Sequence, residues 1–353
     1  MRPEAVAAML PFLGERFGNP TGSHALARAQ RVAIEDAREV MAEALGCSPG
    51  DVVFTGGGTE ADNLAITGAP AGRRLCSAVE HHAVLRPVEE IGGAVVPVDS
   101  AGRVDLDALR DAVGAGAAIV SVMLANNETG VVNDMAAVAD VVDGRALVHT
   151  DAVAAFCWRD VAAEASRADL ISISAHKFGG PMGVGALVVR GETKLAPLLR
   201  GGGQERERRS GTHNVAGIVA MAAAAAATVR DRAVHVAATE ARRDRLAEGL
   251  VRAVPGVTVT AADVSRTAGT LHVLVEGVEN ESLLIVLDEL GVCASAGSSC
   301  ASGALEPSHV LAAMGVSAES ARTALRLSLG WSTTDADIDA ALVAIPKAVE
   351  MLR

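Results

Sequence analysis

Tyrosine is absent from this chain of 353 residues, and aromatic residues make up only 2% of it. No mechanism here can therefore use a tyrosine phenol as acid, base or cofactor anchor. The cysteines (Cys47, Cys76, Cys157, Cys293 and Cys300) are odd in number and contain no C-x-x-C pair. That pattern fits neither a disulfide framework nor a zinc site, and it suits a reducing, cytoplasmic location. Basic residues are in the minority, 31 against 43 acidic ones, for a net charge of −12. Direct nucleic-acid binding needs the opposite balance. Long apolar runs are missing too. The least charged stretch, Ile218 to Val229, is alanine-rich and gives way to Arg230 and Asp231. It falls short of the roughly 20 residues that span a bilayer, so no membrane partner is expected. The first residues, Met1-Arg2-Pro3-Glu4-Ala5, form no apolar signal core.

What remains is globular, with half the residues hydrophobic. The length suits two domains at about 150 residues each. Short β-branched runs alternate with helical stretches through the first part of the chain, which predicts an α/β fold with a mostly parallel sheet. Candidate strands are Asp51–Thr55, Ala94–Val98, Ala118–Met123, Ala146–Thr150, Leu170–Ser174 and Gly183–Val189. Apolar spacing predicts a helix from Ala25 to Leu45, closed by Gly46, and a long helix from Asn214 to Val254. Beyond Pro255 the pattern is that of a smaller α+β domain. Its predicted elements are a strand at Thr270–Val275, a helix at Glu281–Leu290, a helix after Pro307, a strand near Leu325–Leu329 and a last helix from Asp335. The domains are drawn as 10–235 for the large one, with 1–9 and 236–353 forming the small one.

Three places could carry chemistry. In Val52-Val53-Phe54-Thr55-Gly56-Gly57-Gly58-Thr59-Glu60 a strand runs through glycines into a helix. Free amides at such a helix start can cradle a phosphate, although the same run also makes a tight structural turn. Asp151 closes the apolar run Leu147-Val148-His149-Thr150. It either faces a cleft beyond the strand ends or caps a helix. Lys177 follows the run Ile171-Ser172-Ile173-Ser174-Ala175-His176 and precedes Phe178-Gly179-Gly180. A strand-end carboxylate, a strand-end lysine and a phosphate cradle are the three parts that pyridoxal phosphate requires.

Further motifs extend the pattern over nearly the whole chain. They include Phe17-Gly18-Asn19-Pro20, Glu80-His81, Asn126-Asn127-Glu128-Thr129-Gly130, Arg209-Ser210-Gly211-Thr212, Gly297-Ser298-Ser299-Cys300, Leu305-Glu306-Pro307-Ser308 and Arg326-Leu327-Ser328. In this order they resemble the cysteine desulfurases, in the class V aminotransferase-like branch of fold-type-I pyridoxal-phosphate enzymes. The resemblance implies a transferase fold of type I, a large mostly parallel-sheet domain and a smaller α+β domain carrying the cysteine loop.

It also implies roles. Lys177 would hold the cofactor as a Schiff base, Asp151 would pair with its ring nitrogen and Asn127 with its phenolic oxygen. Gly58, Thr59, Ser174 and His176 would bind the phosphate, with Thr212 reaching a phosphate in the partner of a homodimer. His81 would stack on the ring and move protons. Arg326 would clamp the substrate carboxylate, and Asn127 would also bind substrate. Cys300, in a run of small side chains, would attack the sulfur of L-cysteine, release L-alanine and pass its persulfide to an acceptor protein. That acceptor could serve iron–sulfur cluster assembly or thiolation. No metal is implied. Cys47, Cys76, Cys157 and Cys293 are expected to pack structurally. Ala154 departs from the family, which carries a glutamine there, and the family's first short strand and longer tail are expected to be missing. Two other readings share the fold: an aminotransferase or lyase on another amino acid, and a degenerate member acting as a scaffold.

Overall fold

The structure, a computed structural model, describes residues 1–297 and 308–353. Two compact units divide the chain. The first comprises residues 1–96, 106–124 and 133–232, and the second comprises 97–105, 125–132 and 233–353. This division differs from the expected domains at residues 1–9, 97–105, 125–132 and 233–235. Residues 1–9 belong to the first unit, where the Arg2 amide donates to Gly179 O at 2.8 Å and its Nε to Phe178 O at 3.2 Å. Asn127 belongs to the second unit, because the segment 125–132 leaves the sheet and is tied by a bridge from Val131 to Arg266.

The first unit holds a seven-stranded sheet. Its strands are β1 (Val52–Thr55), β2 (Arg74–Ser77), β3 (Ala94–Val96), β4 (Ile119–Ser121), β5 (Leu147–Asp151), β6 (Leu170–Ser174) and β7 (Gly185–Val189), in the order β1-β7-β6-β5-β4-β2-β3. Strands β2 to β6 pair in parallel, and β7 runs antiparallel to both β1 and β6. The sheet is therefore mostly parallel, as expected. Strand β2 was not anticipated, since Arg-Leu-Cys-Ser contains no β-branched residue to signal it. Helices cover the sheet, and the residues that fill their shared core include Val53, Leu64, Val84, Ile119, Leu170 and Leu187.

The helix Ala25–Leu45 has the predicted limits. His24 Nδ1 accepts from the Ala27 amide at 3.2 Å at its start, and Gly46, at φ 61°, ends it in the left-handed region that glycine enters freely. The long helix runs Val215–Ala253 and buries Ala220, Ala224 and Ala225 in the first unit, which excludes the alanine run as a span. No described helix is long and apolar enough to cross a membrane. In the second unit β8 (Val257–Val259), β9 (Thr270–Val275) and β10 (Ala324–Ser328) form an antiparallel sheet. Leu271, Val273, Leu283, Leu287, Leu325 and Ile345 pack its core. The helix expected after Pro307 is short, His309–Ala313.

Cys47 is half-buried, and Cys76 and Cys157 are buried. Burial pushes the Cys47 and Cys157 thiols to about 11 and raises Cys76 as well, which keeps them unreactive. Cys293 is a correction. It is exposed and outside any strand, so it does not pack.

One buried ion pair anchors the loop that leads to the long helix. Arg38 Nη1 and Nη2 donate to Glu205 Oε2 and Oε1 at 2.8 and 2.9 Å, and the Phe54 amide donates to Oε2 at 2.9 Å. His213 Nε2 lies 2.7 Å from Oε1. Burial pushes the Glu205 carboxyl up, but the bonds from Arg38, His213 and Phe54 outweigh it and hold the group at about 2. Its contribution is therefore complete above the ordinary value of 4.5 and disappears as pH falls through about 2. Glu205→Ala leaves the buried Arg38 guanidinium with only the exposed Glu35 carboxylate and Val52 O as hydrogen-bonding partners, and should cost about 3 kcal/mol in denaturant unfolding. Glu205→Gln should remove the part of the acid-induced stability loss that falls in this window.

Candidate active site

In the first unit, β1 ends at Gly56 and Gly57, and the helix Gly58–Gly68 begins directly after them. Gly58 and Thr59 thus already form the first turn of this helix. Gly57 has φ 148°, a conformation that residues with a Cβ rarely adopt. The backbones also approach closely here. A Cβ on Gly185 of β7 would lie 2.7 Å from the Gly57 carbonyl carbon. Glu60 fixes the turn from within the helix. Its Oε2 accepts from the Gly56 amide at 2.7 Å and its Oε1 from Arg209 Nε at 2.7 Å.

The turn opens on a cleft of about 580 Å³. Gly57, Gly58, Thr59, Ser174 and His176 line it, together with Met182. Ser174 Oγ and His176 Nδ1 are 2.9 Å apart. Burial and the Lys177 charge push the His176 imidazole below its usual range, so it enters the cleft as a neutral ring. A Cβ on Gly58 would lie 2.9 Å from Val153 Cγ2 and 3.3 Å from Ser174 Cβ. The space over this amide run therefore exists only because the residue is glycine.

Strands β5 and β6 deliver the charged pair. Asp151, the last residue of β5, is buried and its Oδ1 accepts from the Val153 amide at 2.8 Å. Burial pushes its carboxyl up to about 6, against the pull of that amide and of the Lys177 charge. Lys177 ends the turn Ala175–Lys177 after β6 and is exposed. Asp151 thus belongs to a strand end and caps no helix. His81 caps the helix His82–Glu90, its Nδ1 accepting from the Ala83 amide at 3.1 Å. Thr212 is exposed in the chain ahead of the long helix and is not among the cleft residues of its own unit.

In the second unit, Arg326 on β10 donates from Nη1 to Asn127 O at 3.1 Å and to Gly297 O at 2.9 Å. The Asn126 side chain shapes this turn, its Oδ1 accepting from the Glu128 and Thr129 amides at 2.9 Å each. Ser308 Oγ donates to Glu128 Oε2 at 2.6 Å. His272, opposite Arg326 in the β9–β10 register, is buried and pushed to about 4 by burial and the Arg326 charge. Cys300 lies outside the described residues, as do Ser298, Ser299 and the run Leu305-Glu306-Pro307.

Sequence reasoning missed the buried polar groups behind these residues, among them Asp62, His149, Ser172 and His272. His149 could have been noticed, since it stands two residues before Asp151 and so points to the same face of β5. The others carry no local signal.

The model of the aminotransferase class-V family matches residues 1–341. A cysteine desulfurase IscS of Methanosarcina thermophila is 40% identical, covering 100% of this chain and 90% of that protein. An IscS-like cysteine desulfurase of Mycobacterium tuberculosis is 43% identical, covering 100% and 94%. Among solved structures, a NifS-like protein from Rickettsia africae superposes with a TM-score of 0.92 at 29% identity, covering 99% of this chain and 96% of the other. With matches of this extent to a class-V family model and to cysteine desulfurases, the chain belongs to the cysteine desulfurases of the class-V aminotransferase family.

Proposed function

We propose that this protein is a pyridoxal-phosphate-dependent cysteine desulfurase that converts L-cysteine to L-alanine and holds the released sulfur on Cys300. The observation that carries the reading is the meeting, within one unit, of a buried strand-end carboxylate, the lysine whose charge it feels and a cradle emptied of Cβ atoms. The residues present fit the cofactor. Gly58 and Thr59 offer helix-start amides to its phosphate, with Ser174 and His176 beside them. Asp151 is suited to keep a ring nitrogen protonated, and Lys177 to anchor the group. The bound cofactor supplies an electron sink for the substrate's Cα.

The rest of the chemistry belongs to the chain. Lys177 moves the proton at the substrate Cα. Arg326 takes the substrate carboxylate with a planar, permanently charged fork. His81 has its Nδ1 lone pair held by the Ala83 amide, which leaves Nε2 as the protonated position in the neutral ring. It would stack on the bound cofactor's ring and would move protons. The Cys300 thiolate attacks the substrate Sγ, so that an S–S bond forms as the Cβ–Sγ bond breaks. Cys300 thiol and L-cysteine thus become Cys300 persulfide and L-alanine, with no external oxidant or reductant. The persulfide then passes to an acceptor protein in the cytoplasm, for iron–sulfur cluster assembly or thiolation. Asn127 would hold the cofactor's phenolic oxygen, and Thr212 would complete the phosphate site of the other protomer in a homodimer.

Two measurements test this reading. Purified protein given L-cysteine and a reductant should form alanine and sulfide in step. Cys300→Ser should keep the cofactor's visible band and lose about two orders of magnitude or more in turnover. Unchanged sulfide release in that variant would favour a lyase reaction without persulfide. Gly58→Ala should weaken cofactor retention about tenfold or more on dialysis, because β-branched Val153 has little rotamer freedom to move aside. Retention equal to wild type would remove the cradle from the site.

A further inference from the structure

Lys177 is exposed, and the backbone that carries it is held on both sides. Ahead of it, Ala175 O closes the turn by accepting from the Phe178 amide at 3.1 Å and from the Gly180 amide at 2.9 Å. After it, Arg2 takes two successive carbonyls. The Arg2 amide donates to Gly179 O at 2.8 Å, and its Nε donates to Phe178 O at 3.2 Å. Thr228 Oγ1, on the long helix, also donates to Phe178 O, at 3.3 Å. Arg2 is only 3% exposed, and its guanidinium keeps its charge throughout the working pH range. Taking such a charge out of water is costly, and here bonds to carbonyls offset that cost.

The fit around this residue is close. Gly179 has φ 89°, and a Cβ there would lie 2.6 Å from Arg2 Cγ. The Phe178 side chain is fully buried against Phe156, with ring centroids 4.6 Å apart. Phe156 belongs to the turn that follows Asp151, where its amide donates to Ala152 O at 2.9 Å. Two of the five phenylalanines thus join the segment after the lysine to the segment after the carboxylate. Arg2 holds the backbone of one of them.

We infer that Arg2 is a positioning residue for Lys177: its hold on the Phe178 and Gly179 carbonyls sets where the lysine stands relative to Asp151. It acts through the backbone and the phenylalanine pair, not by contact with substrate. Proton transfer by a positioned group falls steeply with displacement, about a hundredfold for roughly 1 Å, so the loss of one supporting bond should cost about tenfold. The inference rests on the reading of Lys177 as the cofactor's anchor.

Two substitutions separate the bond from the bulk of the side chain. Arg2→Gln carries an amide N–H at the same place along the side chain as Nε, and Arg2→Met carries a methyl there. In holoenzyme, Arg2→Met should lower kcat for L-cysteine about tenfold with KM changed less than about twofold, and Arg2→Gln should recover most of the loss. A second readout does not use turnover. Pyridoxal phosphate is achiral, so the circular dichroism of its visible band, per bound cofactor, reports how firmly the protein holds it. At unchanged cofactor content, that ellipticity should fall by about half or more in Arg2→Met and return in Arg2→Gln. Thr228→Val, which removes the other donor to Phe178 O, should give a smaller change of the same sign, and it decides alone if Arg2→Met does not fold. Glu4→Gln, which breaks an exposed ion pair with Arg230, should give none. Wild-type ellipticity and kcat in Arg2→Met, or equal losses in the two Arg2 variants, would overturn the inference. Borohydride reduction of the wild type, followed by peptide mass mapping, shows separately whether the cofactor is attached to Lys177. Failure of that reading is thus distinguishable from failure of this one.

Discussion

A carboxylate buried at the end of a parallel strand is the constraint to which the first unit answers. Burial drives the Asp151 carboxyl up to about 6, and only the Val153 amide and the Lys177 charge draw it back. Parallel pairing brings the lysine there. Asp151 stands opposite Ser172, so β6 runs two residues further, to Ser174, before the turn Ala175–Lys177. Small residues let the chain fold back tightly. A Cβ on Gly180 would come within 2.8 Å of the Ala175 Cβ. A protonated ring nitrogen at this carboxylate would meet the same need as the lysine charge, which is why burial and cofactor binding suit one another at this position.

Strain is placed where anchors can hold it. Glu205, Arg206 and Glu207 all have positive φ, at 49°, 55° and 65°, with no glycine among them. Such residues cost of order 1 kcal/mol each, and they persist only where their surroundings fix them. Here Glu205 is locked by the Arg38 guanidinium, the Phe54 amide and His213. A few residues on, Arg209 joins Glu60, which also takes the Gly56 amide. One set of charged hydrogen bonds therefore ties the segment leading to Thr212 to both the first strand and the cradle turn.

Regular elements with strong periodicity could be read directly from the sequence. Helix Ala25–Leu45 and strands Leu170–Ser174 and Thr270–Val275 have the predicted limits. Strand-end chemistry was also legible, because Asp151 and Lys177 each stop an apolar run. What could not be read depends on pairing across the sheet. Nothing local in Ile-Ser-Ile around Ser172 announces that its hydroxyl meets the His149 ring of the neighbouring strand. That contact arises from the parallel register of β5 and β6. Asn127 fell on the wrong side of the domain boundary for a similar reason. Its segment lies in sequence between two sheet strands, and it is assigned to the second unit by long-range ties, the bridge from Val131 to Arg266 and the bonds of Arg326 to Asn127 O and of Ser308 to Glu128.

In the second unit, the Asn126–Thr129 turn does the corresponding work with few side chains. Gly297 and Ser308, the described residues on either side of 298–307, are both tied to it. Gly297 O shares the Arg326 guanidinium with Asn127 O, and Ser308 Oγ bonds Glu128 within the same turn. Gly297, at φ 100°, would carry a Cβ only 3.1 Å from Glu128 Oε2, so a side chain there would contest the carboxylate that Ser308 uses. The scarcity of aromatics has its counterpart in this wiring. With no phenol in the chain, polar work falls to serine hydroxyls, imidazoles and backbone carbonyls. These groups are small enough to sit between strands without displacing the valine and alanine packing that holds each unit together.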